Sequence, residues 1–154
     1  MNNIKKILLI LLLGFSMTAN SASLKSFNKK AAENHCKKEW TKRGELDKGM
    51  YEFCMNNQRE GYANAKHYLK EYKSVSFLSE IVSYAQKKWL TRKGFQYNMV
   101  AFEIEKESEG FLDVKYDQEN GIVDSKVYKR CFNKWMKKHE PLWTMVKYCY
   151  SERY

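Results

Sequence analysis

CKKEWTKRGELDKGMYEFC, residues 36–54, is symmetric about its middle: Cys36 and Cys54 are equidistant from position 45, and so are Trp40 and Met50. Pairs nested about one point face each other across an antiparallel hairpin, and Gly44 stands where the turn must come. Cys36 with Trp40, and Met50 with Cys54, are four residues apart, one helical turn on one face. The stretch is therefore expected to fold as a helical hairpin with its cysteines, tryptophan and methionine directed inward.

The frame recurs twice. Trp89, Met99 and Phe102 repeat the spacing of Trp40, Met50 and Phe53, and Trp135, Met145 and Tyr148 repeat it again. Four residues before each tryptophan stand Cys36, Ala85 and Cys131, and the aromatic is followed by Cys54, Glu103 and Cys149. The second copy is centred on Gly94 and the third on position 140, beside Pro141. Copies one and two also share a tail at an offset of 49, Gln58-Arg-Glu-Gly-Tyr62 against Glu107-Ser-Glu-Gly-Phe111. Recurrence at a fixed period is the signature of a repeat architecture, in which each unit buries its apolar face against its neighbours.

Apolar or small positions run on from Met50 through Cys54, Gly61, Ala65 and Leu69, mostly three and four apart, which is a helical stripe. Helices are expected at 26–43, 48–72, 77–93, 96–110, 122–138 and 141–152. Residues 111–121, with Asn120-Gly121 as a turn, could hold a short strand or a helix extension. The fold class is all-α: a bundle of three divergent helix-hairpin repeats, about 26–72, 77–115 and 122–154, in one domain spanning 23–154. Its repeat core is expected from Trp40, Met50, Phe53, Trp89, Met99, Phe102, Trp135, Met145 and Tyr148.

The first 22 residues read as a cleaved secretory signal: Lys5 and Lys6, an apolar run from Ile7 to Phe15, then small residues, with cleavage after Ser21 or Ala22. That run is far short of the roughly 20 apolar residues of a membrane span, and nothing after the signal is apolar enough for one. The protein is expected in a periplasm or outside the cell. Four cysteines in an exported chain form two disulfides. Of the three connectivities, hairpin geometry selects Cys36 with Cys54 and Cys131 with Cys149. A metal site using His35 beside Cys36 is the rival; the cysteines lack the short spacing of zinc ligands, so no metal and no cofactor is expected.

Loss of Lys5 and Lys6 takes the formal charge from +10 to +8, which favours anionic partners. Each first helix is expected to end in a basic pair: Lys42-Arg43, Arg92-Lys93 and Lys137-Lys138. These suit the helix C-terminus, and three hairpins side by side would bring them together as a ridge for phosphate or carboxylate groups. Basic residues among eleven tyrosines also resemble a single-strand nucleic-acid surface, which export and helical placement disfavour. The alternating Glu103, Glu105, Glu107 and Glu109 read as a solvated, salt-bridged surface. Glu103 stands apart because it occupies a cysteine's inward place.

His35, His67 and His139 are isolated, and no nucleophile elbow or phosphate loop is present. The functional expectation is an exported, non-enzymatic basic module that binds an anionic polymer, lipid headgroup or acidic protein. The alternative is a small periplasmic enzyme or enzyme inhibitor with a site in a groove between hairpins.

Overall fold

The computed structural model describes residues 22–92, 94–136 and 140–152; the expected signal, apart from Ala22, lies outside the described residues. Six α-helices dominate: α1 (Lys29–Trp40), α2 (Lys48–Glu71), α3 (Leu78–Lys87), α4 (Tyr97–Glu119), α5 (Ser125–Trp135) and α6 (Trp143–Ser151). Three start on side chains that cap their own first turn. Asn28 accepts from Ala31 N at 3.0 Å, Asp47 from Met50 N at 3.1 Å, and Asp124 from Lys126 N and Val127 N at 2.9 and 3.1 Å. Gln96 and Leu142, which precede α4 and α6, provide no such bond.

Both expected disulfides are present, each closing a separation of 18 residues, Cys36–Cys54 between α1 and α2 and Cys131–Cys149 between α5 and α6. The first hairpin turns through a two-residue ribbon, β1 (Thr41–Lys42) against β2 (Glu45–Leu46). Its bend, Arg43-Gly44, has φ of 54° and 87°, the left-handed pair that a tight hairpin turn demands. Helix was expected to run on to position 43; the ribbon ends it at Trp40. Backbone bonds close the first two hairpins alike, Asp47 N to Trp40 O and Gln96 N to Trp89 O, both at 3.0 Å. After α3 the chain widens into a π-helical turn, Lys88–Arg92, where the Thr91 hydroxyl bonds back to Lys87 O. The uncertain stretch after position 110 continues α4 to Glu119.

Helix α4 is the centre. It packs against α2, α3 and α6, while α1 lies on α2 and α5 on α6. The two junctions between second arms use equivalent contacts. Gln58 Oε1 accepts from Tyr97 N at 2.8 Å, and Glu107 accepts from Thr144 N and Oγ1 at 3.0 and 2.9 Å. Helices α4 and α6 thus each receive a cap from the preceding hairpin. Gly61 lies against the backbone of Tyr97 and Asn98, and Gly110 against Thr144. Tyr62 meets Tyr97 edge-on at 5.3 Å, and Phe111 meets Trp143 edge-on at 4.9 Å. The main core runs through Ile81, Val82, Val100, Ile104, Trp143 and Val146 and includes Cys131; a smaller one holds Ala32, Cys36, Cys54 and Met55.

The expected repeat core needs correction. Phe53, Phe102 and Tyr148 are 58, 50 and 56% exposed, and the repeated tryptophans and methionines are half-buried. Each exposed aromatic immediately precedes Cys54, Glu103 or Cys149, which do point inward. Adjacent helical residues are about 100° apart, so both cannot face the core. The buried stripe of α2 is instead Cys54, Met55, Gln58, Gly61 and Ala65.

Candidate functional site

The expected basic ridge is only partly visible. Lys42 and Arg43 are exposed at the tip of the first hairpin. Arg92 ends the π-helical turn and its side chain lies outside the described part, as do Lys93, Lys137 and Lys138 entirely. Among the described residues, therefore, only one of the three pairs is placed.

Glu103 is buried to 1% exposure and paired: its Oε2 accepts from Lys88 Nζ at 2.9 Å and from Trp89 Nε1 at 3.0 Å. Burial pushes the Lys88 ammonium down, but the Glu103 carboxylate and Tyr84 outweigh it and leave the group above its ordinary value. Trp135 and Cys149 occupy the same relative positions in the third hairpin, and Trp135 Nε1 has no hydrogen-bond partner among the described residues. The expectation that the glutamate run is a solvated surface fails at Glu107, which is 0% exposed, whereas Glu103, set apart by its inward place, is buried and paired with a cation. Both carboxylates do structural work, one on the tryptophan and one on the start of α6.

His35 Nε2 lies 3.1 Å from Glu39, and these two groups and the Cys54 sulfur fall within 4.8 Å of one another. Cys54 is committed to its disulfide, so His35 and Glu39 are the two side chains there able to hold a metal. Catalytic zinc uses three protein ligands.

A long concavity lies where the sequence offered no motif. Residues 23–28 are tied along α3 and α4 by two buried side chains. Gln86 accepts from Lys25 N at 2.9 Å and donates to Ser23 O at 3.1 Å. The Tyr97 hydroxyl accepts from Asn28 N at 3.0 Å and donates to Ser26 O at 3.2 Å. Burial raises the pKa of that hydroxyl, and the Asn28 N–H opposes the shift. Between this tied segment and α3 runs a groove of about 1220 Å³. Lys25, Lys29 and Lys87 line it with the hydroxyls of Ser79, Ser83 and Thr91, Leu90 and Phe95 add apolar surface, and no carboxylate is among its lining residues. Lys29 reaches Glu33 at 3.7 Å; Lys25 and Lys87 make no ion pair among the described residues. The signal that could have found the groove is a polar stripe, Ser79, Ser83, Gln86 and Lys87, along a helix whose remaining side chains, Glu80 apart, are apolar or aromatic.

Among the described residues no helix is long and apolar enough to cross a membrane. Compared with family models, with curated proteins and with solved structures, the chain matches none.

Proposed function

We propose that the protein is an exported, non-enzymatic binding module whose groove beside α3 takes an anionic polymer chain. The observation that carries this reading is the groove's one-sided electrostatics: three lysines and several hydroxyls face a long concavity whose lining contains no carboxylate. Such a channel concentrates anions, and its hydroxyls can donate to sulfate, phosphate or carboxylate oxygens. The pinned segment supports a binding role, because Gln86 and Tyr97 fix the wall that carries Lys25 before any ligand arrives. The formal charge of +8 left after loss of Lys5 and Lys6 from the full chain's +10 points the same way. The hairpin-tip cations Lys42 and Arg43 are the competing locus.

Calorimetry with heparin and with hyaluronate as probes tests it. The wild-type protein should bind at least one of them, more weakly as salt rises. Lys25→Glu, Lys29→Glu and Lys87→Glu together should abolish binding, while Lys42→Glu with Arg43→Glu should leave it within about twofold. Unchanged binding by the groove variant would overturn the proposal.

A further inference from the structure

The first and third hairpins close on cysteines at the same places, but different side chains stand beside them. In the third, Cys131 follows Arg130 and precedes Lys134 by three residues; around Cys36 the same two places hold His35 and Glu39. An imidazole and a carboxylate, both zinc-binding groups, therefore replace two cations in the first hairpin. The second hairpin has Tyr84 and Lys88 there, with Ala85 and Glu103 in place of the cysteines.

The fold brings the four groups of the first hairpin together. His35 and Glu39 lie one turn apart on α1 with Nε2 and Oε2 at 3.1 Å, close to the roughly 3.3 Å that separates nitrogen and oxygen ligands in a tetrahedral zinc site. From the facing arm, the Cys54 sulfur lies within 4.8 Å of both ligand atoms. Cys36 is bonded to that sulfur, and the Cα atoms of the pair are 5.7 Å apart. With the bond broken, the two sulfurs need to part to about 3.8 Å, the edge of a tetrahedron whose zinc–sulfur distances are about 2.3 Å. A cavity of about 170 Å³ opens onto His35, Glu39 and Cys54, which gives an ion a way in and the side chains room to turn.

We infer that the first hairpin is a redox-gated zinc site. Closed, the disulfide leaves His35 and Glu39 as the two ligands; opened, it adds Cys36 and Cys54 and completes a set of four. Opening takes two electrons and two protons from a dithiol, which is itself oxidised to a disulfide. Cys36 and Cys54 become thiols, and each releases its proton as its sulfur bonds the zinc. Four protein ligands with no open position make a structural site, and the ion joins α1 to α2 where the disulfide did. The hairpin thus keeps a staple in either redox state. The third hairpin has no such alternative, because protonated Arg130 and Lys134 have no lone pair for a metal. The site shares no side chain with the groove beside α3 and does not rest on that reading.

The test is a zinc titration of the full chain, oxidised and then reduced with a phosphine under nitrogen, with cobalt as the spectroscopic probe. The reduced protein should bind one zinc at least a hundredfold more tightly than the oxidised protein, and its cobalt form should show thiolate-to-cobalt absorption. His35→Arg with Glu39→Lys, which places the third hairpin's residues in the first and keeps all four thiols, should weaken binding at least tenfold. Cys36→Ala with Cys54→Ala should abolish it, and Cys131→Ala with Cys149→Ala should leave it within about threefold. Helical circular dichroism lost on reduction should return when zinc is added to the wild-type protein and not to the His35→Arg, Glu39→Lys variant. If that variant binds zinc as wild type does, the thiols alone hold the metal and the inference is wrong. Equal affinity of the oxidised and reduced proteins, or loss of binding in the Cys131→Ala, Cys149→Ala variant while its helical signal is intact, would also overturn it.

Discussion

At Gly61 a Cβ would stand 2.2 Å from Asn98 N and 2.6 Å from the Tyr97 carbonyl carbon, so the glycine is what lets α4 begin against α2. At Gly110 the nearest atom would be Thr144 N at 2.8 Å, with side chain as well as backbone in the way. Gly61→Ala should therefore cost about 3 kcal/mol or more in urea unfolding, and Gly110→Ala about 1–3 kcal/mol, because the backbone approach is 2.2 Å at the first glycine and only 2.8 Å at the second. The caps offer a finer comparison. Glu107→Gln keeps an acceptor for Thr144 N and should cost about 1 kcal/mol, whereas Glu107→Leu leaves that N–H and the Thr144 hydroxyl unpaired and should cost about 3 kcal/mol. Equal losses in the two variants would mean that charge, not the bond to Thr144, is what matters. Both tails, Gln58 to Tyr62 and Glu107 to Phe111, were legible in the sequence as a repeated string. Their task was not, because it is performed on residues about 37–39 positions further along.

The elements were the most legible part. Nested spacing locates partners across a hairpin, and it identified both disulfides because a disulfide links the facing arms. It said nothing about which side of the hairpin meets the next one, and for that reason Phe53, Phe102 and Tyr148 were expected inside. The two disulfides should also behave differently. Cys36 and Cys54 sit in the smaller cluster with Ala32 and Met55, where α1 rests on α2, while Cys131 belongs to the main core. Chain entropy assigns each roughly 3 kcal/mol. Replacing Cys36 and Cys54 by Ala should raise amide hydrogen exchange first in α1 and leave α4 protected, a local opening. Replacing Cys131 and Cys149 should lower the protection of α4, α5 and α6 together. Matching exchange patterns in the two variants would contradict the division into two cores.

At the scale of the whole molecule, several tyrosines and Lys88 are shifted, and all of them upward. Burial, then the Glu109 charge, carries Tyr72 to about 12; burial, then the bond to Asp117, raises Tyr150; and Lys88 lies above its usual value. In each case the folded form holds its proton more tightly than the unfolded chain does. Their contribution is therefore complete below pH 10 and disappears as pH climbs from 10 towards 12. Thermal melting should be insensitive to these groups at neutral pH and fall steeply above pH 10, with tyrosinate absorbance rising as the fold is lost; an earlier fall would place the alkaline transition on other groups. The groove belongs to this scale too. It was not legible because it exists only when residues 23–28 lie along α3, and the bonds that put them there span 61 to 71 positions.

Backbone amide mapping of the oxidised protein titrated with a heparin oligosaccharide bears most directly on the central claim, that this groove is the binding surface. Shifts concentrated in residues 23–29 and 79–91 are the result expected. Shifts concentrated in Thr41–Leu46, or on α5 and α6, would contradict it.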